Sequence, residues 1–465
     1  MPSRRLLNLV PLVLFLGTHL AYPVAQGGKP GQSSQKKDPG PSPEQLRGQF
    51  LECLKQPIPK KRDADLRKLV KTYRVSLETW EAALKAIPMP PFPLELGKGK
   101  RISRTLSLYA GEEGLIDTEV QIYVPRAAPS DKGFALLLAA HGTGGQGHHE
   151  MATWQRFAES TPMVILAASE QRDNQGYRFS EQERLTQLSL LRWARLHLPI
   201  DADRVFVAGT SRGGHISWDL GLRYPDIWAG IVPCIGGPRL ALQQGQNNLR
   251  LLPNLLGIPV HDFQGLKDDA GLIWNLRLAI AELRKLGHKD FHFHEFPALG
   301  HSFDLSNAGL EAFFVEARRP SRPQSLHLAS ARLGEARRSW LQILKFKREV
   351  KDELRLKVKA NDWSRLDEEG KKRFAHDYVK DRTALLEAEI TSHDPLTVRI
   401  RGKRVQKARL LLPRWMWPDD DKRKLKVLYE GRTRSPKPKT DKWLYLSDYA
   451  THLDPSLAPV RYVDL

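Results

Sequence analysis

The spacing of apolar residues along the chain predicts helices first and a sheet afterwards. Residues 45–87 place apolar side chains at helical intervals, as at Leu46, Phe50 and Leu54. A proline-rich stretch then ends this helical pattern. We therefore interpret residues 45–97 as a small helical appendage that packs on the core of the protein.

From Arg101 the apolar spacing changes to two residues, which is typical of strands with one covered face. Two such segments, Ile102–Ser107 and Thr118–Val124, predict antiparallel edge strands. The continuous apolar runs that follow are typical of parallel strands covered on both faces. The later predicted strands are Phe134–Ala140, Met163–Ser169, Val205–Ala208, Ile231–Ile235, Val260–Phe263 and Phe291–Phe296. The predicted helices are Glu181–Leu198, Gly213–Tyr224, Asp269–Leu286 and Asn307–Arg318.

This alternation of strands and helices predicts an α/β fold with a mostly parallel sheet and helices on both faces, spanning residues 98–320. Beyond Pro320 the pattern changes to short alternating segments, with one predicted helix over Leu366–Val379. The predicted strands there are Ser325–Ser330, Leu354–Lys359, Leu396–Arg401, Ala408–Leu412 and Leu425–Tyr429. Residues 321–465 are therefore interpreted as a β-rich, sandwich-like accessory module.

Charge adds a second property to that C-terminal module. It holds 34 Lys and Arg residues against 21 Asp and Glu, about two thirds of the chain's net charge of +20. Such an excess predicts a basic surface suited to acidic polymers or an anionic cell envelope. Nucleic acid is not expected as a partner, because the chain has no zinc-finger spacing, RNA-binding signature or helix-turn-helix pattern.

The N-terminal residues predict export. Arg4 and Arg5 precede an apolar run, Leu6–Leu16, so residues 1–26 resemble a signal peptide, and residues 27–44 a flexible linker. The predicted location is secreted or periplasmic, with no membrane span after cleavage and an uncleaved anchor as the alternative. The two cysteines, Cys53 and Cys234, form no disulfide framework, although a single bridge between them stays open.

One strand-to-helix junction contains a candidate nucleophile. The strand Val205–Ala208 runs into Gly209-Thr-Ser-Arg-Gly213, and a predicted helix follows at once. A serine at the apex of such a sharp turn is a nucleophile elbow, in which small flanking residues let strand and helix approach. The motif predicts Ser211 as the catalytic nucleophile.

A serine hydroxyl needs a histidine to take its proton and an acid to orient that histidine. With this elbow the expected chain order is serine, acid, histidine. The loop after the strand Val260–Phe263 offers Asp268, with Asp269 as the alternative because an aspartate before a helix is a typical N-cap. Asp262 lies inside the strand and is less well placed. The loop after the last strand offers His301 as the base.

Two backbone N–H groups are needed to stabilise the negative oxygen of the transition state. One is expected from Arg212, directly after the nucleophile. The other is expected from the glycine-rich loop His141–Gly145, with Thr143 favoured and Gly144 second.

Other polar clusters are interpreted without a metal or a cofactor. His148, His149 and Glu150 continue the glycine-rich loop, but adjacent histidines seldom bind one ion. His292 and His294 alternate on one strand face and are interpreted as ordinary strand residues. The glycine-rich loop also lacks the Lys-Ser/Thr pair of a phosphate-binding loop. We therefore predict neither a metal nor a cofactor.

Together these segments resemble the α/β-hydrolase superfamily and, more narrowly, secreted esterases related to polyhydroxybutyrate depolymerases, feruloyl esterases and phospholipase/carboxylesterase proteins. The matching segments are His141–Gly145, Asp203–Gly214, Arg223–Ala229, Gly265–Asp268 and Gly300–Ser302. The resemblance covers about residues 100–320 and implies an α/β-hydrolase fold. The site residues that it implies are Ser211, Asp268 and His301 as a triad, with Thr143 and Arg212 as oxyanion donors.

Three functions are consistent with this pattern. The first is a secreted carboxylesterase that acts on a short-chain ester or on an ester of a polysaccharide, and the polysaccharide can be anionic. The second is a serine peptidase of the prolyl-oligopeptidase type, against which the lack of a preceding propeller-sized segment counts. The third is a non-catalytic polysaccharide-binding protein, against which the intact triad counts. Only about twenty residues separate Gly237 from Ile258, which predicts an open site without a large lid.

Overall fold

A computed structural model of the protein describes residues 40–85, 87–170, 176–240, 247–418 and 423–465. The predicted signal peptide and residues 27–39 of the predicted linker lie outside the described residues. Three helices come first: α1 (Pro43–Lys55), α2 (Pro59–Thr72) and α3 (Leu77–Lys85). Ser42 caps α1 by accepting a hydrogen bond from the Gln45 backbone N–H at 3.2 Å.

Eight strands form the first sheet. They are β1 (Lys100–Tyr109), β2 (Leu115–Val124), β3 (Phe134–Ala140), β4 (Met163–Ala168), β5 (Ile200–Thr210), β6 (Gly230–Cys234), β7 (Val260–Gly265) and β8 (Phe291–Phe296). Their order is β1-β2-β4-β3-β5-β6-β7-β8. β2 is antiparallel to both of its neighbours, and β3 to β8 are parallel. The mostly parallel sheet is confirmed. Of the two predicted edge strands, only β1 lies at an edge of the sheet, because β2 also pairs with β4.

Helices cover both faces of this sheet, as the continuous apolar strands require. Leu136 and Leu138 of β3 enter one hydrophobic cluster, whereas Leu137 and Ala139 enter the cluster on the opposite face. The helices are α4 (Gly147–Ser160), α5 (Glu181–His197), α6 (Arg212–Arg223), α7 (Ala270–Lys285) and α8 (Leu310–Glu316). The sequence analysis missed α4, because its first turn begins with Gly147 and two histidines, which look like loop.

The chain beyond Pro320 forms two further sheets and three helices. The strands are β9 (Ser325–Ser330), β10 (Arg337–Arg338), β11 (Leu341–Phe346), β12 (Ala384–His393), β13 (Leu396–Lys403), β14 (Val405–Pro413), β15 (Leu425–Tyr429), β16 (Arg432–Arg434) and β17 (Pro459–Asp464). The helices are α9 (Ala360–Ser364), α10 (Glu368–Lys380) and α11 (Lys442–His452). The sheet orders are β10-β11-β14-β17 and β16-β15-β13-β12-β9. Four short 3-10 helices complete the described elements: Leu94–Leu96, Gly111–Glu113, Leu249–Leu255 and Leu333–Glu335.

The N-terminal helices and the C-terminal sheets share one hydrophobic cluster. Phe50 of α1 and Trp80 of α3 are buried together with Leu328 of β9 and Leu410 of β14. Residues 45–97 were expected to pack on the core of the protein, and the apolar faces of these three helices complete the core of the C-terminal region.

The β-rich interpretation of that region holds for its two sheets, but one predicted strand is wrong. Leu354–Lys359 alternates with period two, yet it pairs with no described strand. Alternation shows only that one face is covered, and a strand also needs a hydrogen-bonded neighbour. The strands β11, β12 and β17 and the helix α11 were not predicted.

Some arginine side chains lie inside the protein rather than on its surface. Eight arginines are buried: Arg62, Arg184, Arg204, Arg212, Arg223, Arg250, Arg319 and Arg338. Several of them join the α/β segment to the C-terminal region. Arg223 contacts both Asp219 of its own helix and Glu335, and Arg319 contacts Asp454 at 2.6 Å. Only Arg338 of these eight belongs to residues 321–465, so the basic surface of the C-terminal module stays a prediction.

The two cysteines do not form a bridge. Cys53 is free and half-buried in α1, and Cys234 is free and buried in β6. Cys234 therefore acts as a small core residue. No helix in the described ranges is both long and apolar enough to cross a membrane.

Candidate active site

Ser211 lies at the junction between β5 and α6 in a strained backbone conformation. Its φ is 57° and its ψ is −109°, and such a positive φ costs a non-glycine residue about 1–3 kcal/mol. The flanking glycines make the turn sterically feasible. A Cβ atom on Gly213 would lie 1.8 Å from the Ala140 carbonyl oxygen, and one on Gly209 would lie 2.5 Å from it. The G-x-S-x-G spacing thus presents the serine where strand and helix meet.

The structure brings Ser211, His301 and Asp268 into one hydrogen-bonded chain. His301 Nε2 lies 2.8 Å from Ser211 Oγ, and His301 Nδ1 lies 2.8 Å from Asp268 Oδ2. Because a carboxylate only accepts, His301 Nδ1 carries the proton and Nε2 is free to accept one from Ser211. The imidazole is 53% exposed, so it stands at the open side of the site where a substrate can enter.

Asp268 is held as a carboxylate. Burial alone would raise its pKa, but hydrogen bonds from the Asp269 N–H, His301 and Gln264 hold the pKa below its usual value. The Asp269 N–H donates at 2.7 Å and Gln264 Nε2 at 2.9 Å. An ionised carboxylate at this position orients the imidazole and stabilises its protonated form.

The two alternative acids have other contacts. Asp269 Oδ1 accepts the Leu272 N–H at 2.9 Å and caps α7. Asp262 is buried and accepts the Trp218 indole N–H at 2.7 Å, and burial raises its pKa. Neither contacts His301 in the described structure.

The glycine-rich loop lies against the elbow. A Cβ atom on Gly142 would lie 3.3 Å from the Thr210 carbonyl oxygen, and the Gly145 N–H donates to the Gly142 carbonyl at 3.0 Å to close a turn. Thr143 and Arg212 line the same cleft as Ser211, whereas Gly144, with φ at 76°, is not among the residues that line it. As the first residue of α6, Arg212 has a backbone N–H without a carbonyl partner inside the helix.

His141, treated above only as part of the loop, fixes the position of that loop. Its Nδ1 donates to the Gly142 carbonyl at 2.7 Å, and its Nε2 accepts the Glu170 N–H at 3.0 Å. Burial lowers the pKa of His141, so the ring stays neutral and keeps both bonds. The sequence signal was the histidine directly before Gly142, but its partner Glu170 follows another strand.

The Arg212 side chain has a structural role that the sequence did not indicate. Its guanidinium is buried between the carboxylates of Glu170 and Glu183, with the latter contact at 2.9 Å. Glu183 belongs to α5 and also accepts the Ser180 N–H at 3.0 Å. The first residue of α6 is thereby anchored to two neighbouring segments.

The histidine clusters named above hold no shared site. His149 Nδ1 accepts the Gln146 N–H at 3.2 Å, while Glu150 turns inward and accepts from Trp154 at 2.7 Å and from Thr210 at 3.1 Å. Burial raises the pKa of Glu150 to about 7. On β8, His292 contacts Asp290 at 2.9 Å and His294 contacts His261 at 3.1 Å. Among the described residues no group of three metal-ligating side chains converges.

The cleft around Ser211 has a volume of about 560 Å³. Aromatic and apolar walls come from Tyr177, Phe179 and Leu272, and charged groups come from Arg239 and Lys372. Lys372 belongs to α10 in the C-terminal region, so the cleft is not built by the α/β segment alone. No sequence signal linked α10 to the site.

Strand order and elbow together decide the fold type. The chain has the α/β-hydrolase fold. No protein-family model matches its sequence, and no curated protein does either. The chain is similar to the solved structure of a thermostable esterase, with 17% sequence identity and a TM-score of 0.36 over 47% of this chain and 63% of that one. It is similar to an S-formylglutathione hydrolase from Staphylococcus aureus, with 14% identity and a TM-score of 0.39 over 47% of this chain and 100% of that one. It is also similar to a ferulic acid esterase, with 16% identity and a TM-score of 0.35 over 44% of this chain and 92% of that one. These similarities cover less than half of this α/β-hydrolase chain.

Proposed function

We propose that this protein is a serine hydrolase that cleaves carboxylic esters. The observation that carries the proposal is the continuous relay from Ser211 Oγ through His301 to Asp268, with both hydrogen bonds at 2.8 Å. A nucleophile, a base and an orienting acid in this order are the groups that acyl transfer needs.

In the first half-reaction Ser211 Oγ attacks the acyl carbon while its proton passes to His301 Nε2. The carbonyl oxygen becomes an oxyanion, which the N–H groups of Arg212 and Thr143 stabilise, with Gly144 as the alternative to Thr143. His301 then gives the proton to the leaving alkoxide oxygen. The C–O bond breaks, an alcohol departs, and the acyl group stays on Ser211.

In the second half-reaction water replaces the alcohol. His301 takes a proton from the water as its oxygen attacks the acyl carbon, and a second oxyanion forms in the same place. The bond to Ser211 breaks, His301 returns the proton to Oγ, and a carboxylic acid leaves. Asp268 stabilises the positive imidazole in both halves without itself taking a proton.

An open cleft supports a bulky or polymeric ester as substrate, with esters on polysaccharide as the candidate class. In the described part of the segment between β6 and β7, the short helix Leu249–Leu255 packs away from Ser211, since Asn254 bonds to Leu222 and Ala329. Secretion into the periplasm or medium is part of the proposal and rests on residues 1–26. Recovery of the protein from the cytoplasm with residues 1–26 still attached would contradict secretion.

The test is hydrolysis of nitrophenyl acetate by the full chain and by Ser211→Ala. We expect kcat to fall by about 10,000-fold or more, because the residual rate comes from binding and oxyanion stabilisation alone. Ser302→Ala is the matched control, since it removes an exposed hydroxyl beside His301. Equal rates for Ser211→Ala and the wild type would overturn the proposal.

A substrate panel separates the competing functions. Turnover of acetylated or feruloylated glycans without cleavage of proline-containing peptides supports the esterase. The reverse result would make the protein a peptidase, and no turnover of either class would leave a binding protein.

A further inference from the structure

Helix α10 of the C-terminal region lies beside α7, which forms part of the cleft wall. The Lys372 ammonium is 5.0 Å from the centroid of the Trp274 ring, and Lys380 Nζ is 2.7 Å from Glu282 Oε2. The second contact lies eight residues after the first on both helices, so the two helices run side by side in the same direction. This arrangement places Lys372 on the wall of the cleft that contains Ser211.

Lys372 differs from its neighbours in having no contacting carboxylate among the described residues. Lys371 pairs with Glu368 at 2.8 Å, and Arg373 pairs with Glu369 at 2.5 Å. Lys372 instead rests on an aromatic ring, which is attractive to a cation but does not neutralise it. Its charge is therefore left to act on whatever occupies the cleft.

Arg239 supplies a second cation in the cleft. It follows β6, and its guanidinium carbon is 5.3 Å from the centroid of the Phe179 ring. No carboxylate contacts it within the described ranges. Like Lys372, it rests on an aromatic face and lines the cleft.

The other charged groups of the cleft already have partners. Asp268 is bonded to His301, and Asp269 caps α7. The Arg212 guanidinium is enclosed by two carboxylates. Within the described ranges, Lys372 and Arg239 are therefore the two cleft-lining cations that remain available to a bound molecule.

We propose that this cleft favours esters that carry a carboxylate near the scissile bond, and that Lys372 and Arg239 recognise that carboxylate. The inference rests on the proposed esterase function and names its substrate class. It also assigns the C-terminal region a direct part in selectivity, because Lys372 comes from α10.

The test compares two substrates that share a leaving group but differ in charge: nitrophenyl hemisuccinate, which is anionic, and nitrophenyl butyrate, which is neutral. We expect the wild type to have the higher kcat/KM for the anionic ester, once each value is divided by the rate of alkaline hydrolysis of the same ester. Lys372→Glu should lower the ratio of the two kcat/KM values by about ten-fold, since it reverses a partly screened charge on the cleft wall. Lys372→Arg should keep the ratio within about two-fold of the wild type, because it keeps the charge.

Arg373→Glu is the matched control, because it makes the same charge change one residue away on an exposed side chain that does not line the cleft. It should leave the ratio unchanged. Added salt at 0.5 M should reduce the wild-type preference for the anion, since it screens charges at the cleft rim.

An identical ratio in Lys372→Glu and Arg373→Glu, while both esters are still hydrolysed, would overturn this inference and leave the esterase intact. Failure of the wild type to hydrolyse either ester would instead contradict the proposed function. Because butyrate turnover also reports on folding, a misfolded variant is recognised by the loss of both activities.

Discussion

The protein contains two regions whose cores differ in how far apart in the chain their packing partners lie. In the α/β-hydrolase segment several strands pack against helices next to them in the chain, as β4 does against α4 and β5 against α6, and two hydrophobic clusters fill the two sheet faces. The other region joins α1 to α3 with β9 to β17, so its single cluster combines residues from both ends of the described chain. The first region holds the proposed relay, and the second contributes Lys372 to the same cleft.

This difference shows where the local sequence pattern is sufficient to predict how an element packs. An apolar run followed at once by an amphipathic helix contains both partners of the packing, so its sequence alone predicts the layer. A helix such as α3, whose partner strands lie hundreds of residues away, shows an apolar face but not what covers it. Deleting the C-terminal region and removing a carboxylate at the boundary test whether the two regions also depend on each other energetically, and a third substitution tests the interior of the α/β-hydrolase segment.

The largest effect is expected from deleting residues 321–465. Deletion exposes Phe50 and Trp80 and removes Glu335 and Asp454 from the buried arginines Arg223 and Arg319. We expect an aggregating chain or one without a cooperative unfolding transition, measured by calorimetry. A soluble product whose Tm lies within a few degrees of the wild type would show that the α/β-hydrolase segment is independent.

A smaller but specific effect is expected from Asp219→Ala at the boundary of the two regions. Asp219 accepts from Arg223 at 2.8 Å and from Arg184 at 3.0 Å, and all three side chains are buried. Removing the carboxylate leaves two buried cations short of a partner, which costs about 3–5 kcal/mol.

Urea unfolding measures this loss, and Asp381→Ala is the control. Asp381 pairs with Arg404 at 2.6 Å on the surface, and such exposed pairs contribute about 1 kcal/mol or less. Equal losses in the two variants would mean that the buried cluster does not join the regions.

Glu150→Gln tests the interior of the α/β-hydrolase segment alone. Burial raises the pKa of Glu150 in the folded protein to about 7, from the ordinary value of about 4.3. The folded state therefore binds the proton more tightly, so between about pH 4 and pH 7 the wild type loses stability as pH rises. The stability lost by pH 8 amounts to about 4 kcal/mol at most.

Glutamine can still accept from Trp154 and Thr210, but it cannot ionise. Urea unfolding at pH 5 and pH 8 should therefore show a smaller difference for Glu150→Gln than for the wild type. An unchanged pH difference would exclude Glu150 as its source.

The sequence was sufficient for the sheet of the α/β-hydrolase segment and for the three relay residues, because the elbow and the strand ends place them by topology. It was insufficient for α4, whose glycine and histidines hide its first turn. It also missed the contact of Lys372 with Trp274, since nothing local on α10 indicates that α7 lies beside it. The residues that support the site, Glu170 and Glu183, could not be predicted for the same reason, because their roles depend on where three separate segments meet.

The shared core of α1 to α3 and β9 to β17 has a consequence for synthesis. Roughly 240 residues separate α3 from β9, so at about 5–20 residues per second the ribosome needs on the order of 10–50 seconds to produce the first strand that covers Phe50 and Trp80. During that interval these apolar faces have no partner and attract chaperones or one another. Assembly of this region is thus a late event, timed by the length of the hydrolase segment between its two halves.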